Sequence, residues 1–409
     1  MATDDKNLRS GQSIWSARRE HMFRPRRLSR DLRCDVLIIG AGITGSLIAD
    51  RLAAAGIDVA VVDKRAPAAG STAASTALVQ YEIDTPLTLL TRKIGKDKAA
   101  RAWRRSRLAV ESLAARLGEL SVRDVTRRNS LYLAGNLLDR EALAHEYEAR
   151  SAIGLASRLL STRALRDEFG IARSAAVLAF GNLVIDPRRA ALALLRAATA
   201  NGTRPFFPCE IVSVHPGRST VTARTADERA ITCDHLVFAT GYEVPDGVPR
   251  GHHKITSTWA IATPPQTRRR LWPGECCIWE AASPYLYVRT TRQGHVICGG
   301  EDEDIADEEA RDALLARKSE SLRRKLGKLL PEISTGIRYR WTGSFGETTT
   351  GLPLIGTIPG MPHCSIALGY GGNGTTYATI AADIIAAIVI GRRDADADLY
   401  RFPASDRRA

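Results

Sequence analysis

Three glycines at fixed spacing, Gly40, Gly42 and Gly45, follow the apolar run Asp35-Val-Leu-Ile-Ile39, and about twenty residues later Val59-Ala-Val-Val62 ends on Asp63. Residues of these types can hold a dinucleotide. Gly40 permits a tight turn, Gly42 lets backbone approach a pyrophosphate, and Gly45 lets a helix lie close on a strand. The helix would begin near Ile43 and Thr44, offering unpaired N–H groups and about half a positive charge to phosphates. Asp63, with Lys64 beside it, stands where a carboxylate accepts the hydroxyls of an adenosine ribose. Glycine-rich turns also serve structure alone. Here the preceding strand, the apolar helix positions Leu47, Ile48 and Leu52, and the acidic strand end all agree.

The elements that must position these residues alternate along the chain. After the strand–turn–helix–strand unit comes a small, hydroxyl-rich stretch, Gly70-Ser71-Thr72-Ala73-Ala74-Ser75-Thr76. Helical periodicity spans about 97–118 and 139–154, with a strand over 130–134 between them, and Asp186-Pro187 opens a helix to about Asn201. A strand pair at 210–214 and 220–223 precedes the buried strand 233–238 and its ending Ala239-Thr240-Gly241. From 254 to 301 four short strands with polar turns predict an antiparallel sheet, and 308–330 reads as one charged helix. The tail from Trp341 reads as a Gly/Pro-rich loop, a strand at 364–368, a second glycine cluster and an apolar helix. The fold class expected is α/β: a Rossmann-like domain built from discontinuous segments, plus an inserted α+β domain with an antiparallel sheet. The expected segments are an Arg-rich leader (1–33), nucleotide-domain parts at 34–92, 186–248 and 341–409, a helical segment at 93–185, and the sheet at 249–340.

A chain of 409 residues exceeds one core. Its net charge of +13 is largely arginine in the leader (Arg18, Arg19, Arg24, Arg26, Arg27, Arg30, Arg33) and along helices. No aromatic residues interleave with a basic stripe, which argues against nucleic acid as a partner. The seven cysteines have no metal or CxxC spacing and suit a reducing cytoplasm. The charged N-terminus lacks a secretory apolar core, and the apolar stretch 377–390 is too short for a membrane span. A cytoplasmic protein with no metal and no membrane anchor is the expectation.

In this order, the motifs resemble those of the FAD-dependent D-amino-acid oxidase superfamily, which holds glycine oxidase and sarcosine oxidase. The resemblance runs from about Asp35 to Gly391. It implies FAD held without a covalent link, since no His stands in the 70–76 loop and no Cys near 347–352. It places Ser71, Thr72 and Ser75 beside the pyrophosphate and ribityl chain, Thr240 and Gly241 near the adenosine, and Val212 where backbone meets adenine. Gly343, in Trp341-Thr-Gly343, and the cluster Gly371, Gly372, Asn373, Gly374 and Thr375 fall at the flavin end. A helix N-terminus there would face the flavin edge where negative charge collects on reduction. That second glycine cluster distinguishes FAD from a nicotinamide cofactor. The implied reaction oxidises a C–N bond of an amine or amino acid by hydride transfer to flavin N5, giving an imine that hydrolyses.

Two departures from glycine- and sarcosine-oxidase-like members bear on the substrate. Phe345 stands where a carboxylate-binding Arg is expected, and an apolar ring cannot replace a guanidinium fork. Period-two alternation puts Tyr285, Tyr287 and Arg289 on one strand face, so either Arg289 replaces the missing cation or the three form a structural ladder. No Lys occupies the strand 296–299, which leaves oxygen and another electron acceptor both open. The acidic run Glu301–Asp304 reads as a solvated turn or as a greeting for a cationic amine. Two other functions stay open. One is FAD-dependent oxidation of a C–O bond, for which His252, His253, His295 and His363 are the histidines at hand, the first two reading as a surface turn. The other is a non-catalytic FAD-binding subunit.

Overall fold

The computed structural model describes residues 6–18, 23–24, 26–249 and 253–403. Asp4, Asp5, Arg19, Glu20 and His252 lie outside these described residues. Two sheets organise them.

The first sheet runs in the order Leu354–Thr357, Cys364–Leu368, Ala230–Phe238, Leu32–Ile39, Val59–Val62, Arg204–Phe206. Along this order the pairings are parallel except the outer pair Leu354–Thr357 with Cys364–Leu368, and Val221–Thr225 pairs antiparallel with Ala230–Phe238 and Ile211–Pro216. Val59–Val62 is buried at every position, as a strand covered on both faces requires. Helices Ile43–Ala54, Pro187–Ala200 and Gly374–Val389 pack together on one face. On the other face a meander, Ile211–Pro216 and Val221–Thr225, closes over Leu37, Ile39 and Phe238. Strand Leu32–Ile39 sits between neighbours reached in opposite directions, so a crevice opens beyond its carboxyl end.

The second sheet runs Gly11–Gln12, Tyr339–Thr348, His253–Ala262, Val296–Glu303, Leu286–Thr290, Cys277–Glu280, Thr126–Leu133, Ala175–Val184, Leu78–Val79. It is antiparallel except where Cys277–Glu280 meets Thr126–Leu133. Helix Leu315–Leu329 covers one face with Leu322 and Leu326 against Trp259 and Cys298. All seven cysteines are buried and unpaired. No helix among the described residues is long and apolar enough to cross a membrane.

Several expectations need correction. The segment read as a loop after Trp341 is the long strand Tyr339–Thr348, hydrogen-bonded on both sides, so the expected boundary at 341 falls inside the second sheet. Its glycines Gly343 and Gly346 hid the alternation. The charged helix is two helices, Glu308–Ala313 and Leu315–Leu329, meeting at Leu314. His253 begins strand His253–Ala262 instead of a turn. The acidic run is no turn either: strand Val296–Glu303 continues through it, with a bulge against Ser257–Trp259 and Glu301 at φ 62°.

Candidate functional site

Backbone crowding explains the glycine turn. Gly40 has φ 111°, and a Cβ there would collide with the Ala239 carbonyl of the neighbouring strand. A Cβ on Gly45 would collide with the Gly40 carbonyl, so Gly45 lies under its helix and outside the cleft lining. The helix Ile43–Ala54 lacks a side-chain cap at Gly42; instead Thr72 Oγ1 accepts the Ile43 N–H at 3.0 Å. Asp63 accepts the N–H groups of Ala41 and Arg65, each at 2.8 Å. Burial raises its pKa, while those two N–H groups pull it down. Lys64 and Arg65 both pair with Glu243.

Above this turn opens a cleft of ≈ 1800 Å³ of unfilled space, part of it open to solvent. Gly40, Gly42, Ile43, Thr44, Asp63, Lys64, Ser71, Thr72, Ser75, Thr240 and Gly241 line one end. Tyr285, Tyr287, Gly343, Phe345, Gly371, Gly372, Gly374 and Thr375 line the other, so both glycine clusters share one cleft. Tyr370 joins them by donating from its hydroxyl to Thr44 Oγ1 at 3.2 Å. Gly374 opens helix Gly374–Val389, with empty space where a Cβ would stand. Ser71 Oγ is buried without a partner, as a hydroxyl awaiting a polar ligand would be. These features fit FAD: a carboxylate and phosphate-sized turn at one end, an open helix N-terminus at the other.

Besides Gly45, three expected residues lie elsewhere. Val212 does not line the cleft, although its neighbours Glu210 and Ile211 do, because alternation turns it away. Asn373 uses its amide internally, accepting from Asp84 N at 3.0 Å and donating to Glu82 O at 2.8 Å. Arg289 is fully buried, donating to the carbonyls of Ala77 and Ile185 at 3.0 Å each, with its guanidinium 5.1 Å from the Trp15 ring. Desolvation pulls its pKa down to about 10. It shares a strand face with Tyr287 but points past the cleft, and cannot meet a substrate carboxylate there.

Arg289 belongs to a set of donors that fixes the hydroxyl-rich loop from behind. Trp341 Nε1 donates to Ala74 O at 2.8 Å and Trp15 Nε1 to Ser75 O at 2.7 Å. With the backbone carbonyls held there, Ser71 and Ser75 are left along the cleft. The N-terminal segment crosses the same loop: Leu8 lines the cleft, Arg9 Nε donates to Ala69 O at 3.2 Å, and Gly11–Gln12 pairs with Arg340 and Trp341. The described part of the Arg-rich leader thus packs on its own fold.

Two carboxylates were missed. Asp84 lines the cleft, where it is wetted by solvent, and Gly372 N donates to it at 2.6 Å. A Cβ on Gly372 would stand 2.8 Å from Asp84 Oδ2 and 3.2 Å from the Tyr285 hydroxyl, so the three meet at one corner. Asp302, beyond the bulge, does not itself line the cleft but lies beside Thr258 and Tyr285, which do, while Glu301 turns to Lys318 and Lys325. A bulge re-aims side chains in this way. The crowding pushes Asp84 up to about 6, by desolvation first and then by Glu347, and Asp302 up to about 7, by desolvation and then by Asp84 and Glu347. Among the described residues no histidine lines the cleft; His295 bonds Thr263 O and His363 bonds Arg218 O.

A family model described as FAD dependent oxidoreductase matches residues 35–388. The gamma-glutamylputrescine oxidoreductase of Escherichia coli (strain K12) is 25% identical over 395 residues, covering 92% of this chain and 89% of that one. A glycine oxidase of Bacillus licheniformis is 25% identical over 379 residues, covering 88% and 94%. Among solved structures, glycine oxidase from Geobacillus kaustophilus superimposes with TM-score 0.74 at 18% identity, covering 89% of this chain and 96% of that one. L-proline dehydrogenase from P. horikoshii gives 0.75 at 19%, covering 91% and 97%. These structural likenesses establish the shared fold.

Proposed function

Because the chain belongs to the family of FAD dependent oxidoreductases, we propose that it oxidises the C–N bond of an amine or amino acid with non-covalently bound FAD. The observation that carries this reading is the corner of Asp84, Tyr285 and Gly372, opposite the nucleotide turn in a cleft with no histidine among its described lining residues. FAD, when bound, supplies the hydride acceptor, and the oxidised C–N bond hydrolyses in water. The protein's share is placement. Asp63 and the turn Gly40–Gly45 would hold the adenosine and pyrophosphate, and Ser71, Thr72 and Ser75 the chain between. The N-terminus of helix Gly374–Val389 would place its dipole against the electron-rich ring. Tyr285, Tyr287 and Phe345 would confine the substrate.

An alcohol needs a base to take its O–H proton, whereas a neutral amine gives up hydride without one. With no histidine in the described lining, a C–O reaction would have to use Asp84 as its base, whereas the C–N reading needs none. Both names among the relatives, an amine oxidoreductase and an amino-acid oxidase, point the same way. Anaerobic addition of amines, amino acids and 2-hydroxy acids to the yellow holoenzyme tests this. Amines should bleach the flavin band. Bleaching by hydroxy acids alone would overturn the reading, and bleaching by no compound would favour a non-catalytic subunit.

A further inference from the structure

We propose that the cleft's catalytic end selects a positively charged substrate and rejects one bearing a carboxylate, with Asp84 and Asp302 as the residues that read the charge. This rests on the amine oxidation proposed above and adds a substrate class to it.

Three carboxylates gather around Tyr285. Asp84 comes from the segment after Glu82, Asp302 from the bulged strand Val296–Glu303, and Glu347 from strand Tyr339–Thr348; each acts electrostatically on the Tyr285 hydroxyl. Asp84 is held in the cleft wall through both its backbone, by Asn373, and its carboxylate, by Gly372. Asp302 Oδ1 is buried and has no hydrogen-bond partner. A buried acceptor left unpaired is costly unless something supplies a donor.

No cation among the described residues supplies it. The cationic side chains in the described lining are Lys64 and Arg65, which stand at the nucleotide end against Glu243. At the rim, Lys254 turns to Asp304 and Lys93 to Thr349 O. Arg289 points away, and Phe345 brings only an apolar ring. The pKa values of Asp84 and Asp302 are raised first by burial and then by this unrelieved negative charge, from Glu347 on both and from Asp84 on Asp302. An ammonium group would relieve it, whereas a substrate carboxylate would add to it. The rings of Tyr285 and Tyr287, 5.5 Å apart and tilted, and Trp279 in the same wall offer π-faces to the cation.

Four small amines separate charge from shape: butylamine, 1,4-diaminobutane, 4-aminobutanoate, and norvaline, which is butylamine with a carboxylate on the reacting carbon. Anaerobic bleaching of the holoenzyme should be most efficient with diaminobutane, then butylamine, and poorest with the two carboxylates. Asp84→Asn and Asp302→Asn should each lower the efficiency with diaminobutane by roughly tenfold to a hundredfold, the range of a hydrogen bond to a charged group. They should also narrow the gap between butylamine and norvaline. Equal bleaching of wild-type enzyme by norvaline and butylamine would overturn the charge selection and leave amine oxidation standing.

If none of the four bleaches the flavin, the oxidation itself is in question and binding decides the selection separately. Tetramethylammonium and trimethylacetate have nearly the same shape and opposite charge. The cation should perturb the flavin spectrum of the holoenzyme and the anion should not; perturbation by the anion at equal or lower concentration would overturn the proposal. Should Asp84→Asn fail to retain FAD, Asp302→Asn and the wild-type ranking carry the test.

Discussion

Arg289 shows how a residue's type can point to one role and its depth to another. A strand pattern of period two fixes which face a side chain takes, and the sequence placed it correctly with Tyr287. Depth is decided by what covers that face, here Trp15 from the leader and the carbonyls of Ala77 and Ile185. Arg289→Met should therefore leave the Ile185 carbonyl unpaired and the Ala77 carbonyl with only the Ile185 N–H, and cost about 2–4 kcal/mol in denaturant unfolding. The ranking of amines against amino acids should not change. A selective loss of activity toward carboxylated substrates would restore Arg289 as a substrate ligand. Asp302 makes a prediction in pH. Its folded pKa, about 7, lies above the ordinary carboxylate value of 3.8, so between these values the folded protein holds more proton than the unfolded chain. The group's contribution is most favourable below pH 4 and is lost as pH rises toward 7. The facing ionisable groups are Asp84, Glu347 and Tyr285. Asp302→Asn should raise Tm at pH 8 and change it less near pH 5; the opposite order would contradict the burial described.

At the scale of elements, the parts legible in the sequence were those with few physical alternatives. A strand followed by Gly40, Gly42 and Gly45 admits little besides a tight turn under a helix. The collision of a Gly45 Cβ with the Gly40 carbonyl shows why. Gly45→Ala should lower FAD affinity at least about tenfold, read from the fluorescence of released flavin, because the helix must lift from the strand that aims it. Strand Tyr339–Thr348 was illegible for the converse reason. Gly343 and Gly346 interrupt its alternation, and its stability comes from neighbours at residues 11–12 and 253–262, far away in sequence. Asp302 was read as part of a solvated run because a bulge depends on the partner strand. Local composition carries no trace of that.

Across the whole molecule, the two sheets meet at the hydroxyl-rich loop, and the N-terminal segment fastens them. Trp15 lies beneath that loop, Leu8 packs near Gly70, and Ser10 exchanges backbone and side-chain bonds with Thr342. Trp15→Ala would remove a buried indole, a hydrogen bond and the ring facing Arg289. It should cost about 3–5 kcal/mol and speed FAD release, measured by dilution of the holoenzyme. Unchanged retention of FAD would show that the segment is not a fastening. The direction of synthesis adds a temporal consequence. Residues 11 and 12 are made well before their strand partners at 340 and 341, more than three hundred positions later in the sequence. The latch must wait, unpaired, until that distant partner strand has been made. Until then the hydroxyl-rich loop lacks the strand pairing that lies behind it in the finished fold.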